Sequence, residues 1–290
     1  MRNRVWLFVG VAAGFCLGAA SPSLAWWGDG HALLARASVQ ALPEGMPAFF
    51  RAGGETVAHS SYDPDLFKNR ATPQGSHGEH AEHFFDLELL QGKDVPQLRY
   101  DFVALCAELG VAPDKVGFAP YAVAEWTQHL MVAFAEHRKW PQNQTVQQKC
   151  LLFAGLLAHY AQDMCQPLHM TIHFDGRVPA VEGAEPTRVH EKVDSLVERL
   201  EVGAEALAQQ VEVVAFDSLM GAIDEQIMES NGRVDRVYEL EAKIDQASDP
   251  AVRAFGLERA HRATAFTASL FFTAWEQSAS LRLPGWLDRD

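Results

Sequence analysis

The 290-residue chain predicts an all-α fold, and three observations carry that expectation. Apolar residues recur at three-and-four spacing beyond residue 26, while alternating runs of β-branched and aromatic residues are few. Helix punctuation falls where those segments begin and end. With 48% hydrophobic residues, the chain is long enough to bury an ordinary core. Residues 31–42 space their apolar side chains as a short helix stopped by Pro43, and 97–109 do the same before Gly110. The 118–140 segment opens with Pro120 in its first turn, where a missing N–H costs nothing. Residues 146–165 are strongly apolar and are expected to form the central buried helix. A further helix is expected over 186–200, and the tail contains at least two more, the last opened by the cap pair Asp249-Pro250. Two stretches, 53–92 and 174–185, hold glycines and prolines without helical periodicity and are expected to be loops.

The front end has a basic start at Arg2 and Arg4, an apolar run over 5–20 and the small-residue ending Ser23-Leu24-Ala25. This pattern predicts a signal peptide over 1–25, a domain over 26–290 that begins at Trp26, and a secreted or periplasmic location with no transmembrane segment after processing. Without the leader three cysteines remain, Cys106, Cys150 and Cys165, so at most one intramolecular disulfide is expected. The formal net charge is −14, and loss of the two leader arginines lowers it to −16. A basic groove for duplex DNA is therefore not expected. Bound divalent cations would offset several of those charges, so a phosphate-bearing substrate stays open.

The residues that can do chemistry are imidazoles and carboxylates. His159 and Asp163 lie four apart in the apolar 146–165 segment, and His190 and Asp194 repeat that spacing. On a helix each pair projects from one face, one turn apart. One such pair suits a core histidine bonded to its own aspartate. Two pairs offer two bidentate edges to metal. Pro167 turns the chain after the central helix and aims His169 back toward its mouth, with His173 as a rival. The 77–86 segment offers His77, His80 and His83 where one ligand is needed, and Asp63 competes with Asp65. Imidazole nitrogen with carboxylate oxygen is the donor set of hydrolytic zinc, whereas structural zinc more often takes thiolates.

Trp26-Trp27-Gly28-Asp29-Gly30-His31, Pro64-Asp65, His83-Phe84-Phe85-Asp86, His159-Tyr160-Ala161-Gln162-Asp163, Gln166-Pro167-Leu168-His169 and His190 with Asp194 resemble, in order, the ligand motifs of the zinc-dependent phospholipases C and of the fungal-type single-strand-specific nucleases. The resemblance implies an all-α, single multi-helical domain with three zinc ions in one cleft. It implies that Asp65, His83, His159 and Asp163 hold one ion of a close pair. The other ion of that pair would take the amino nitrogen and carbonyl oxygen of Trp26, His31 and a second oxygen of Asp163. His169, His190 and Asp194 would hold the third, and Asp65 would accept a proton in catalysis. It also favours His83 over His77 and His80, Asp65 over Asp63, and Trp26 over Trp27.

The resemblance implies a zinc-dependent phosphodiesterase with single-stranded nucleic acid or phospholipid as substrate and no stable protein partner. Asp194, where the lipases generally carry Glu, and the long 169–190 interval resemble the nuclease branch. The 83–86 run is as much like the lipases, and Val193 replaces the tryptophan that nucleases usually place before the last aspartate. A single-strand nuclease is the first expectation and a phospholipase C the alternative. A non-catalytic exported metal-binding helical protein is the third. Phe271, Phe272 and Trp275 are expected in the core, Glu125 and His129 as a solvated i,i+4 pair, and His261 on a helix surface.

Overall fold

The computed structural model describes residues 26–177, 187–209 and 211–288, so the leader expected over 1–25 and most of the 174–185 loop lie outside the described residues. Among the described residues the chain forms helices and turns and no strand. In chain order these are α1 (Gly28–Gln40), α2 (Ala48–Ala52), α3 (Gly54–Ser60), α4 (Asp63–Phe67), α5 (Pro73–Glu79), α6 (Arg99–Leu109), α7 (Pro113–Val116), α8 (Ala119–Lys139), α9 (Gln144–Asp163), α10 (Val189–Asp194), α11 (Leu196–Arg199), α12 (Ala204–Ala208), α13 (Leu219–Asn231), α14 (Val234–Leu240) and α15 (Pro250–Ser278). Short 3-10 turns join several of them, His80–His83 and Pro167–His169 among them. No helix of the described residues is long and apolar enough to cross a membrane.

Local chemistry sets the ends. The Asn143 side chain accepts from Thr145 N and Val146 N to start α9, and Asp249 accepts from Ala251 N and Val252 N ahead of Pro250 to start α15. Gly110 ends α6 with φ at 72°, a conformation that favours glycine. The central helix falls where the apolar pattern placed it: α9 packs against α1, α3, α8 and α15, and its last three turns are buried on nearly every side. Phe50, Phe134 and Phe271 meet edge to face beside it, with ring centres 5.0 and 5.6 Å apart. Phe272 and Trp275 pack on the same core.

Four expectations need correction. The 53–92 stretch is not a loop but a series of short helices, α3 to α5, followed by 3-10 turns. Its prolines do not break helices because Pro64 and Pro73 sit in the first turns of α4 and α5. The helix expected over 186–200 is two pieces, α10 and α11, divided at Ser195. Glu125 does not pair with His129; it forms an ion pair with Arg99, which also grips Glu82, while the His129 ring lies against Trp126. His261 is half-buried rather than on the surface. Cys106, Cys150 and Cys165 are buried and free.

Candidate metal centre

The last turn of α9 is the spine of the site. His159 and Asp163 are fully buried there, one turn apart, in a helix whose other buried positions are mostly apolar. His31 comes from α1, His83 from the turn after α5, Asp65 from α4, His169 from the turn after α9, and His190 with Asp194 from α10. Each turn is short, and each delivers one donor to the same end of α9. The Asp163 carboxylate reaches His83 Nδ1 at 2.9 Å, His159 Nε2 at 3.3 Å and His31 Nε2 at 3.4 Å.

Three groups of ligand atoms result, each with its atoms within 4.8 Å of one another: His31, His159 and Asp163; Asp65, His83 and His159; and His169, His190 and Asp194. The spacings suit a shared cation better than mutual hydrogen bonds. Two donors each about 2.1 Å from a tetrahedral zinc stand about 3.4 Å apart. The Asp163 to His31 and His159 edges fit that value, as does His190 Nε2 to Asp194 Oδ2 at 3.3 Å. His31 Nε2, Asp163 Oδ1 and Asp194 Oδ2 are buried and make no hydrogen bond. Ring nitrogens also face each other, His159 Nε2 with His83 Nδ1 at 2.9 Å and His190 Nε2 with His169 Nε2 at 3.1 Å. Converging lone pairs on buried imidazoles repel unless a proton or a cation lies between them, so this donor set fits metal.

Outer partners orient the rings. A carbonyl oxygen only accepts, so His159 Nδ1 donates to Ser61 O at 2.7 Å and His169 Nδ1 donates to His83 O at 2.7 Å, which leaves each Nε2 lone pair facing the cluster. His31 Nδ1 is held by Gln162 Oε1 at 2.6 Å, and Gln166 Nε2 donates to Asp194 Oδ1 at 2.7 Å. His83 is reversed: its Nε2 donates to Glu79 Oε1 at 3.1 Å and its Nδ1 faces inward. Glu79, Ser61, Gln162 and Gln166 were not singled out from the sequence. Only the two glutamines left a trace there, as polar side chains flanking Asp163 in an apolar run.

Burial works against charge throughout the cluster, yet the groups offset it for one another. Desolvation raises the Asp163 carboxyl, but the imidazoles of His159 and His169 outweigh it and hold the group well below the usual carboxylate range. Asp65 is held low against burial by His159 and by Lys68, whose Nζ lies 2.5 Å from Oδ1. Burial also disfavours charge on His169, but Asp163 and Asp194 lift it to about 9. His159 is raised in the same way by Asp163 and Asp65. Burial lowers His31 and His190. The buried carboxylates thus favour positive charge beside His159 and His169, and divalent ions would supply it there.

A cleft of about 330 Å³ adjoins this cluster, and His83, His169, His190, Lys68, Lys115, Phe84, Phe174 and Asp86 are among the residues that line it. Burial, reinforced by Glu88, pushes the Asp86 carboxyl up to about 7. Asp63, His77, His80 and His173 fall outside the three groups, although His80 borders the cleft. Trp26 is fully buried at the same end of α9: its indole donates to Gln162 O at 3.0 Å, and Trp27 N donates to Asp194 O at 3.4 Å.

The fold and site together define an all-α protein with three adjoining histidine and carboxylate groups that could hold metal. No protein-family model and no curated protein matches the chain. Among solved structures it is similar to the alpha toxin from Clostridium absonum, at 12% identity and a TM-score of 0.42, over 88% of this chain. The chain spans 64% of that protein's length. A likeness at this level bears no argument about activity.

Proposed function

We propose that this protein is a metal-dependent phosphodiesterase that hydrolyses single-stranded nucleic acid, exported and made active once Trp26 becomes its first residue. The observation that carries the reading is the convergence of five imidazoles and three carboxylates beneath a cleft walled by lysines and phenylalanines. Asp65, His83, His159 and Asp163 would hold one ion, Asp163 and His31 with the amino end of Trp26 a second, and His169, His190 and Asp194 a third. When bound, such ions supply Lewis acidity, lowering the pKa of a shared water toward about 7 and neutralising phosphate charge.

The chain's own residues do the rest. Asp65, kept ionised by Lys68, accepts the proton of the attacking water. The Lys68 and Lys115 ammonium groups border the space a phosphate must occupy. Phe84 and Phe174 line the cleft as aromatic partners for a base, and base stacking contributes about 1–3 kcal/mol per base. A zwitterionic headgroup would bring its cation near Lys115, whereas a polynucleotide carries no compensating positive charge. That difference favours nucleic acid over phosphatidylcholine.

The test compares single-stranded DNA or RNA, duplex DNA and phosphatidylcholine vesicles as substrates of the processed protein, each with and without a chelator. Cleavage of single strands that chelator abolishes and added zinc restores is expected, with no release of headgroup. Headgroup release without strand cleavage would replace the reading, and strand cleavage indifferent to chelator would end it.

A further inference from the structure

We propose that Glu79 is a positioning residue which fixes His83 to ligate metal through Nδ1, where the other four histidines present Nε2; this rests on the metal reading above. Glu79 closes α5 and His83 closes the 3-10 turn that follows, so the chain folds the carboxylate back onto the ring four residues on. Glu79 Oε1 accepts two hydrogen bonds, from His83 Nε2 at 3.1 Å and from the Tyr160 hydroxyl at 2.6 Å. The Glu79 and Asp163 carboxylates can only accept, so without metal either ring nitrogen of His83 can donate; a cation at the cluster takes the place of a proton on Nδ1, while Glu79 holds the one on Nε2.

Position explains the reversal. Nδ1 lies closer to the backbone than Nε2, and the tight 3-10 turn brings the His83 backbone close against the end of α9. Nδ1 is therefore the nitrogen that arrives 2.9 Å from both Asp163 Oδ2 and His159 Nε2. His169 Nδ1 donates to the His83 carbonyl, so the same residue also orients a ligand of the neighbouring group.

An ordinary surface i,i+4 pair is solvated at both ends and stabilises little. Here His83 is 4% exposed and Tyr160 3% exposed. Tyr160 follows His159 on α9, so its hydroxyl ties Glu79 to the helix that carries the His159 and Asp163 pair. Without that tie the His83 ring could take either tautomer beside an open cleft.

The inference is tested on the processed full-length protein loaded with zinc. In wild type, ring 1H–15N correlations should place the His83 proton on Nε2, against Nδ1 for His159 and His169. E79A should release zinc at a chelator concentration about 10–100-fold lower than wild type, the usual loss when a ligand's outer partner is removed. E79Q, whose amide oxygen still accepts from Nε2, should keep most of that retention. A His83 proton on Nδ1, or an E79A that holds zinc as wild type does, overturns this inference and leaves the metal reading standing. Wild type that takes up no divalent ion overturns both. The ring correlations are read on wild type, so an E79A that fails to fold leaves the question decided.

Discussion

Asp163 and Asp194 look equivalent in sequence, each four residues after a histidine, and the structure separates them. Asp163 faces His31, His83 and His159 together, while Asp194 serves His169 and His190 alone. On the proposed ligation, D163A should lose the two ions of the close pair, and D194A should lose one and keep two. Metal analysis after gel filtration reads the count directly, and equal losses in the two variants would contradict the assignment. Both pairs were readable from spacing because the i,i+4 repeat occurs twice, where a single pair would suit a core histidine bonded to its own aspartate. The choice among His77, His80 and His83 was not readable from spacing. A helix end followed by a 3-10 turn aims the three rings differently, and only His83 is carried inward to Asp163. Glu79 was hidden for the same reason, since its partnership with His83 crosses from α5 into that turn.

At the scale of elements, α9 was recovered from its apolar run, and on the proposed reading the metal centre depends on how closely α3 approaches it. Gly155 is the contact point: a Cβ there would lie 2.5 Å from Ser60 Cβ and 2.8 Å from the Val57 carbonyl oxygen, both on α3. One of those atoms is backbone, so the helices must separate. α3 runs into Ser61, whose carbonyl orients His159, so separation is felt at the metal ligand. G155A should therefore destabilise the protein by about 1–3 kcal/mol, the usual cost of overpacking, and should also weaken zinc retention. G45A, where an added Cβ meets nothing within 4 Å, is the control. Loss of stability with unchanged zinc retention would show that α3 does not position His159. The short helices over 53–92 escaped periodicity because pieces of five to seven residues span under two turns and carry too few apolar positions to repeat.

Over the whole molecule the puzzle is charge, because a chain of net −14 is proposed to act on a polyanion. Composition alone argues against a long basic groove and leaves a smaller phosphate-bearing substrate open. Locally the balance differs: Lys68 and Lys115 line the cleft beside three histidine and carboxylate groups that could hold metal, and on the proposed reading bound divalent cations would offset the acidic charge where the substrate phosphate sits. Lys68 is committed to Asp65, which leaves Lys115 as the group whose removal should report on substrate phosphate alone. K115A should raise KM for a single-stranded oligonucleotide several-fold and leave kcat nearly unchanged, since Lys115 lies on the wall and not among the ligand groups. The logarithmic dependence of kcat/KM on salt should become shallower by about 0.7, the value for one phosphate contact on a single strand. K115R should restore both. An unaltered KM and salt slope in K115A would mean that the cleft meets its substrate without this lysine, and a fall in kcat alone would place it instead at the reacting atoms.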